Sequence, residues 1–196
     1  MTAPKDAVTA YPIHPLLRER WSPRAFADRP VDAETLGSLL EAARWSPSSY
    51  NEQPWSFIVA RRQDGPEFAR VLACLVPGNQ AWAQGAAVLL LALARTNSAR
   101  TGKPNRHAFY DLGQAAAHLT FQAASMGLAV HQMAGIEVEK IRADFQLPEG
   151  VEPATAIAVG YPGDPESLPE RLREREGLPR ERKSLAEMVE GLPNLS

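Results

Sequence analysis

The sequence has one cysteine, Cys74, and no large excess of charge of either sign. One cysteine cannot build a disulfide framework or a cysteine-rich metal site, and it suits a reducing compartment. The 21 Lys and Arg residues nearly balance the 23 Asp and Glu residues, whereas a dedicated nucleic-acid-binding protein is strongly basic. We therefore expect neither a disulfide scaffold nor a nucleic-acid partner.

Long apolar runs are also missing. The longest, residues 86–94, falls far short of the ~20 residues of a membrane helix and predicts a buried strand instead. Residues 1–10 are polar and lack the apolar core of a secretory signal. The sequence therefore predicts a soluble, cytoplasmic protein with no membrane partner.

Familiar catalytic and nucleotide-binding motifs are absent. No P-loop, no G-x-G-x-x-G after a strand and no G-x-S-x-G occurs in the chain. The four histidines lack metal-ligand spacing: His14, His107, His118 and His131. We therefore predict no metal site, and classical hydrolysis is disfavoured.

Apolar periodicity and turn residues predict alternating helices and strands. The 196 residues are 44% hydrophobic, which fits one globular domain over residues 1–196. Helices are predicted from Pro15, after Asp32 to about Arg44, and over 66–75, 110–126 and 138–145, with a helical turn near Trp82; strands are predicted over 55–60, 86–94, 128–132 and 154–159. Residues 1–11 form a loose lead-in, and residues 164–196, dense in Arg, Glu and Pro over 164–183, form an extended C-terminal segment. This alternation indicates an α/β or α+β fold.

Three polar clusters could carry chemistry: residues 20–24 (Arg-Trp-Ser-Pro-Arg), residues 47–55 (Pro-Ser-Ser-Tyr-Asn-Glu-Gln-Pro-Trp) and residues 180–183 (Arg-Glu-Arg-Lys). Arginine-rich clusters suit an anion, because the guanidinium fork matches phosphate. The middle cluster suits a polar, hydroxylated molecule. Taken singly, the same residues could be surface charges, a capped turn and a charged tail.

Together these clusters resemble the FMN-dependent nitroreductase family. The resemblance begins with Arg20-x-Ser22-x-Arg24-x-Phe26 and continues through Pro47-Ser48-Ser49-Tyr50-Asn51-Glu52-Gln53-Pro54-Trp55. It extends through the alanine-rich helix that ends at Gly127, then Ala134-Gly135, to Arg180-x-Arg182-Lys183, and so covers roughly residues 12–190. The Pro-Ser-x-x-Asn-x-Gln-Pro-Trp string is specific, whereas Arg-x-Ser-x-Arg alone is not.

The resemblance implies an α+β, three-layer fold with a mixed central sheet wrapped by helices. It implies an intertwined homodimer with two FMN sites at the interface. The implied cofactor-binding residues are Arg20, Trp21, Ser22, Arg24, Pro47, Ser48, Ser49, Asn51, Gln53, Asn79, Ala134, Gly135, Arg180 and Arg182. Among these, Arg20, Arg180 and Arg182 would meet the phosphate, Arg24 the flavin ring, and residues 47–51 would come from the partner subunit.

The implied activity is hydride transfer from NADH or NADPH through flavin N5 to a nitroaromatic or quinone, with no catalytic side chain required. Two alternatives stay open: the same fold with other redox chemistry (dehalogenation, flavin destruction or azoline oxidation), and a non-enzymatic FMN-binding protein. Trp21, Ala134 and the short 95–106 loop depart from the family pattern and bear on substrate identity. The sequence leaves open whether His118, His131 or Tyr110 lines the substrate pocket.

Overall fold

A four-stranded sheet occupies the centre of the computed structural model, which describes residues 5–191. Its strands are β1 (Trp55–Arg61), β2 (Val88–Arg95), β3 (Ala129–Met133) and β4 (Val151–Gly160). Their spatial order is β1-β2-β4-β3, so β2 and β4 are central. Each predicted strand is found, with ends shifted by up to three residues.

Eight α-helices are found within the described residues. They are α1 (Pro15–Glu19), α2 (Ala33–Arg44), α3 (Pro66–Leu72), α4 (Pro77–Ala83), α5 (Ala108–Ser125), α6 (Val138–Asp144), α7 (Glu170–Gly177) and α8 (Leu185–Met188). No helix among residues 5–191 is long and apolar enough to cross a membrane.

The two faces of β2 divide the core into two halves. Val88, Leu90 and Ala92 pack in a cluster with α2 and α5, whereas Leu89 and Leu91 pack in a second cluster with α3, α4 and α6. Successive strand residues point to opposite faces, so a strand covered on both sides is apolar throughout. This arrangement confirms the three-layer α+β fold.

The sheet is antiparallel at every described pairing, not mixed as expected. β1 pairs with β2, β2 with β4, and β3 with β4, all antiparallel. Helix α5 connects β2 to β3, and these two strands run in the same direction because both are antiparallel to β4. These two strands do not pair, because β4 lies between them. The alternation of helices and strands predicts the crossover, but it cannot reveal the inserted strand.

Local sequence signals set several helix ends. Asp32 caps α2 by accepting a 2.7 Å hydrogen bond from the Thr35 N–H. Gly127, at φ +73°, ends α5, and the Leu128 N–H donates to the Ala123 carbonyl at 2.9 Å in a Schellman motif. Helix α3 ends before the predicted Leu75, because Leu75 forms a β-bridge and Val76 precedes Pro77, which favours extended backbone.

The C-terminal segment is less extended than predicted. It contains α7 and α8, and Leu168 is buried in the second core cluster. The lead-in has no regular structure over residues 5–11, but the Ala7 N–H donates to the Arg18 carbonyl at 2.8 Å. Residues 1–4 of the predicted lead-in and 192–196 of the predicted C-terminal segment lie outside the described residues.

Candidate functional site

The first and third polar clusters line one cavity of about 220 Å³. After Arg24 the backbone pairs with the residues that directly follow β4, since the Gly163 N–H donates to the Ala25 carbonyl and the Ala27 N–H donates to the Tyr161 carbonyl. This pairing fixes residues 20–24 beside the sheet. The described lining residues are Lys5, Arg20, Trp21, Ser22, Arg24, Arg175, Glu176, Leu178, Pro179, Arg180 and Arg182. Two clusters that are about 160 residues apart in sequence thus form one pocket.

The pocket is strongly cationic. Six of its described lining residues carry positive charge (Lys5, Arg20, Arg24, Arg175, Arg180 and Arg182) and one, Glu176, is acidic. Burial lowers the pKa of Arg20, and repulsion from Arg180 and Arg182 lowers it further. Burial also lowers the pKa of Arg180, with Arg182 adding repulsion and Asp6 opposing it. Such crowding of like charges is relieved by a bound anion.

Hydrogen bonds hold the walls of this pocket. The Arg180 Nη1 donates to the carbonyls of Lys5 at 2.8 Å and Arg18 at 2.7 Å, which ties the C-terminal segment to the lead-in. The Lys5 ammonium donates to the Leu178 carbonyl at 2.7 Å and lies 4.7 Å from the centre of the Trp21 ring. Arg20 donates to the Ser22 hydroxyl at 3.3 Å. The lead-in, predicted as loose, is therefore part of the pocket wall.

Asn79 and Gly135, with Ala134 next to Gly135 in sequence, form a second group outside the described pocket lining. The Asn79 side-chain amide donates to the Gly135 carbonyl at 3.0 Å. A Cβ at Gly135 would lie 2.6 Å from the Asn79 amide nitrogen and 2.7 Å from a Val76 methyl group, so this position accepts only glycine without rearrangement. Ala134 is exposed beside it.

Trp82 connects the two groups, because it lies on the same helix, α4, as Asn79. Its ring packs against His131 at a centroid distance of 4.5 Å, and the Arg24 guanidinium lies 6.0 Å from its centre. His131 Nδ1 is 2.9 Å from the Pro23 carbonyl, which can only accept, so the proton lies on Nδ1. Burial lowers the pKa of His131, and the Arg24 charge adds to this effect, while the Pro23 carbonyl opposes it.

The middle polar cluster forms a separate loop ahead of β1. Tyr50, Asn51 and Gln53 all have positive φ angles, of 53°, 55° and 44°. The Ser49 N–H donates to Asp111 on α5 at 3.1 Å, and the Ser48 hydroxyl accepts from the Gln53 N–H at 3.0 Å. This unusual backbone is thus held by specific side-chain acceptors. Pro47, Asn51 and Gln53 are exposed.

The loop and the cationic pocket lie far apart within one chain. The loop leads into Trp55 on β1 at one edge of the sheet, whereas Pro23 contacts His131 on β3 at the other edge. Trp55 is level with Glu152 of β4, while His131 is level with Ala158. Three strand spacings and six residues of rise put these two corners of the sheet about 25 Å apart.

Sequence reasoning missed three residues of these groups. Lys5 is hidden in an irregular lead-in, and Glu176 is one of many acids in a charged tail. Asp111 is almost fully buried, and a carboxylate on the buried side of an apolar helix is a usable signal, since buried acids need a partner. Within the described residues, no cluster of three or more His, Cys, Asp or Glu side chains could hold a metal ion.

Comparison with known proteins assigns the family. The nitroreductase family model matches residues 17–161. A solved structure described as an oxidoreductase containing FMN superposes with a TM-score of 0.90 at 36% identity, over 100% of both chains. The chain belongs to the nitroreductase family, and its fold is the nitroreductase fold.

Two curated relatives are more distant. An FMN reductase [NAD(P)H] of Bacillus subtilis is 27% identical over 173 residues, which cover 80% of this chain and 68% of the relative. A putative NADH dehydrogenase/NAD(P)H nitroreductase of Methanothermobacter thermautotrophicus is 30% identical over 155 residues, 76% of each chain.

Proposed function

We propose that this protein is an FMN-dependent oxidoreductase that takes electrons from NADH or NADPH. The observation that carries the proposal is the pocket in which Arg20, Arg180 and Arg182 repel one another. Family membership and the FMN named for two similar proteins support the same cofactor. The proposed compartment is the cytoplasm, because its thiols are reduced and the single cysteine suits it.

The donor set of the pocket fits the phosphate end of FMN. Guanidinium groups bind phosphate oxygens through charge-assisted hydrogen bonds, and phosphate would offset the repulsion that lowers the pKa of Arg20. Arg180 already uses one nitrogen to hold the lead-in, so it both builds the wall and adds charge. Arg20 and Arg182 are therefore the proposed principal phosphate ligands.

The remaining predicted residues have proposed roles around the rest of the cofactor. Bound FMN supplies an N5 atom that accepts hydride from a reduced nicotinamide and passes it to an acceptor. Arg24 is the proposed cation of the ring end of the site. Gly135 permits close approach of its backbone, and Asn79 fixes that backbone through the Gly135 carbonyl. Trp21 and Ser22 line the same pocket.

A second copy of the chain is proposed to complete the site. The cavity of about 220 Å³ is below the ~300 Å³ lower end of ordinary cofactor pockets, and the polar loop is about 25 Å away in the same chain. Trp45, Tyr50, Phe109 and Tyr110 are large exposed aromatics near the loop and on α5. Such a patch is typical of an interface. The partner's loop would then supply residues 47–53 to this pocket.

The proposed acceptors are small nitroaromatics or quinones, which would follow the nicotinamide into one pocket. The decisive experiment identifies the flavin released from the purified protein and then mixes the holoprotein anaerobically with NADH or NADPH. We expect FMN, bleaching of its absorbance by at least one nicotinamide, and reoxidation by a quinone or nitroaromatic.

Arg20→Ala tests the proposed role of Arg20 in binding FMN. Arg171→Ala is its matched control, because Arg171 is an exposed arginine of α7 outside the described pocket lining. Flavin that neither nicotinamide reduces would favour the non-enzymatic alternative. Reduction without turnover of either acceptor class would favour other redox chemistry on the same fold.

A further inference from the structure

Glu176 is a buried carboxylate in the wall of the cationic pocket. Its side chain is 2% exposed, although most of α7 faces solvent. One oxygen, Oε1, accepts from the Arg24 backbone N–H at 3.1 Å and from the Arg24 Nη1 at 3.3 Å. The other oxygen, Oε2, is buried and has no hydrogen-bond partner among the described residues. The carboxylate thus accepts hydrogen bonds from both the backbone and the side chain of Arg24.

This placement has a cost that local structure does not explain. A buried carboxylate with an unpaired oxygen is destabilising, so its presence in the pocket wall calls for an explanation. Glu176 is 152 residues from Arg24 in sequence, so no helix cap or turn requires the contact. It is also the one acidic residue of the described pocket lining, opposite six basic residues.

The charges of the pocket therefore divide into two sets. Arg20, Arg180 and Arg182 repel one another. Arg24 instead has its own counter-charge in Glu176 at 3.3 Å. The first set suits a permanently charged phosphate, whereas the second presents a fixed guanidinium with its charge largely cancelled.

We propose that Glu176 is a positioning residue that fixes Arg24 and cancels its charge, and so sets the preference of the site for the oxidised over the reduced cofactor. This inference rests on the proposed function. Two-electron reduction of FMN at neutral pH adds negative charge to a ring that is neutral when oxidised. A carboxylate in the wall disfavours that added charge and Arg24 favours it, each more strongly the closer it lies to the ring.

The test measures the midpoint potential of bound FMN by spectroelectrochemical titration, together with the affinity for oxidised FMN. Glu176→Gln keeps the shape of the side chain and removes its charge. We expect the affinity for reduced relative to oxidised FMN to rise about tenfold, which for a two-electron couple is a rise of about 30 mV. Arg24→Met should change the potential by a similar amount in the opposite direction.

The double variant Arg24→Met/Glu176→Gln restores the net charge and should return close to the wild-type potential. If Glu176 only held Arg24 in place, Glu176→Gln would lower the potential as Arg24→Met does, and the double variant would match Arg24→Met instead of the wild type. Glu174→Gln is the matched control, because it removes the same charge from an exposed position of the same helix. It should leave the potential unchanged.

An unchanged or lowered potential in Glu176→Gln, with FMN still bound, overturns the inference. If Glu176→Gln does not fold, recovery of folding by the double variant supports charge balance, and failure to recover overturns it. Wild-type protein that binds no FMN would instead refute the proposed function, which the same titration reports separately.

Discussion

At the scale of single residues, His131 places a neutral imidazole in the protein interior, next to the positive charge of Arg24. Its Nδ1–H donates to the Pro23 carbonyl, its ring packs on Trp82, and its pKa is lowered chiefly by burial. The folded state therefore disfavours the protonated form. The stability from this neutral ring is fully present above the ordinary pKa of 6.5 and is lost as pH falls through the lowered value.

Removing the imidazole should remove this pH dependence. His131→Asn keeps a side-chain N–H donor and cannot titrate. We expect wild type to lose more unfolding free energy than the variant between pH 7.5 and pH 5.5, by at most about 1.4 kcal/mol per pH unit. Denaturant titrations at both pH values measure the difference. His118→Asn, on the exposed side of α5, should keep the wild-type loss. Equal losses in His131→Asn and wild type would contradict the prediction.

The phosphate assignment also belongs to single residues. Losing one charge-assisted contact in Arg20→Ala or Arg182→Ala should cost about 1.5–3 kcal/mol, or roughly tenfold to a hundredfold in FMN affinity. Fluorescence quenching on titration of the apoprotein measures it. The same variants should bind riboflavin, which has no phosphate, as weakly as wild type does. Riboflavin binding as tight as FMN binding in wild type would show that the arginines do not meet a phosphate.

At the scale of elements, two glycines distinguish the effect of backbone conformation on stability from the effect of packing. A Cβ would meet nothing within 4 Å at either Gly127 or Gly37, but only Gly127 has a positive φ, of +73°. Gly127→Ala should therefore destabilise the protein by about 1 kcal/mol, because it strains the end of α5. Gly37→Ala, within α2, should stabilise it by up to about 1 kcal/mol. Thermal unfolding of both variants provides the check, and effects of the same sign would refute the argument.

The loop over residues 47–53 depends on one acceptor from another element. Asp111→Ala leaves the Ser49 N–H without its partner, and we expect a loss of about 1–3 kcal/mol in unfolding free energy. Asp28→Ala is the control, since Asp28 is an exposed carboxylate whose one ion pair within residues 5–191 is with Arg62 at the surface. Hydrogen exchange should show faster opening of residues 48–53 in Asp111→Ala alone. An unaltered loop in that variant would mean that the strained backbone holds itself.

The limits of sequence-based prediction also lie at the scale of elements. Apolar runs and turn residues locate every strand, because burial on both faces makes β2 apolar throughout, and Asp32 and Gly127 mark the ends of their helices through local hydrogen bonds. Local sequence does not predict which strands, or which distant side chains, pair with one another. No local signal reports that β4 lies between β2 and β3, or that Glu176 reaches Arg24 across 152 residues. Residues 20–24 and 180–182 can be singled out by composition, but only the fold brings them to one pocket.

At the scale of the whole molecule, the proposal requires a dimer. An obligate interface buries about 2,000 Å² or more, which needs a large apolar surface. Phe109→Glu with Tyr110→Glu, both exposed on α5, should dissociate the dimer and release FMN together. Light scattering with absorbance detection measures both. A wild-type protein that is monomeric at micromolar concentration while holding FMN would contradict the two-chain site.

The pocket wall also has a consequence for the order in which the molecule is made. Lys5 and Arg18 bond to Leu178 and Arg180, so the wall closes only after some 160 further residues have been synthesised. At ~5–20 residues per second, that interval lasts roughly ten to thirty seconds on the ribosome. Throughout this interval Arg20 and Arg24 are already part of the nascent chain, whereas Glu176 and the arginines of the C-terminal segment have not yet been synthesised. Cofactor loading at this pocket would therefore be a late event, because a translation pause ahead of residue 176 leaves the nascent chain with half a pocket.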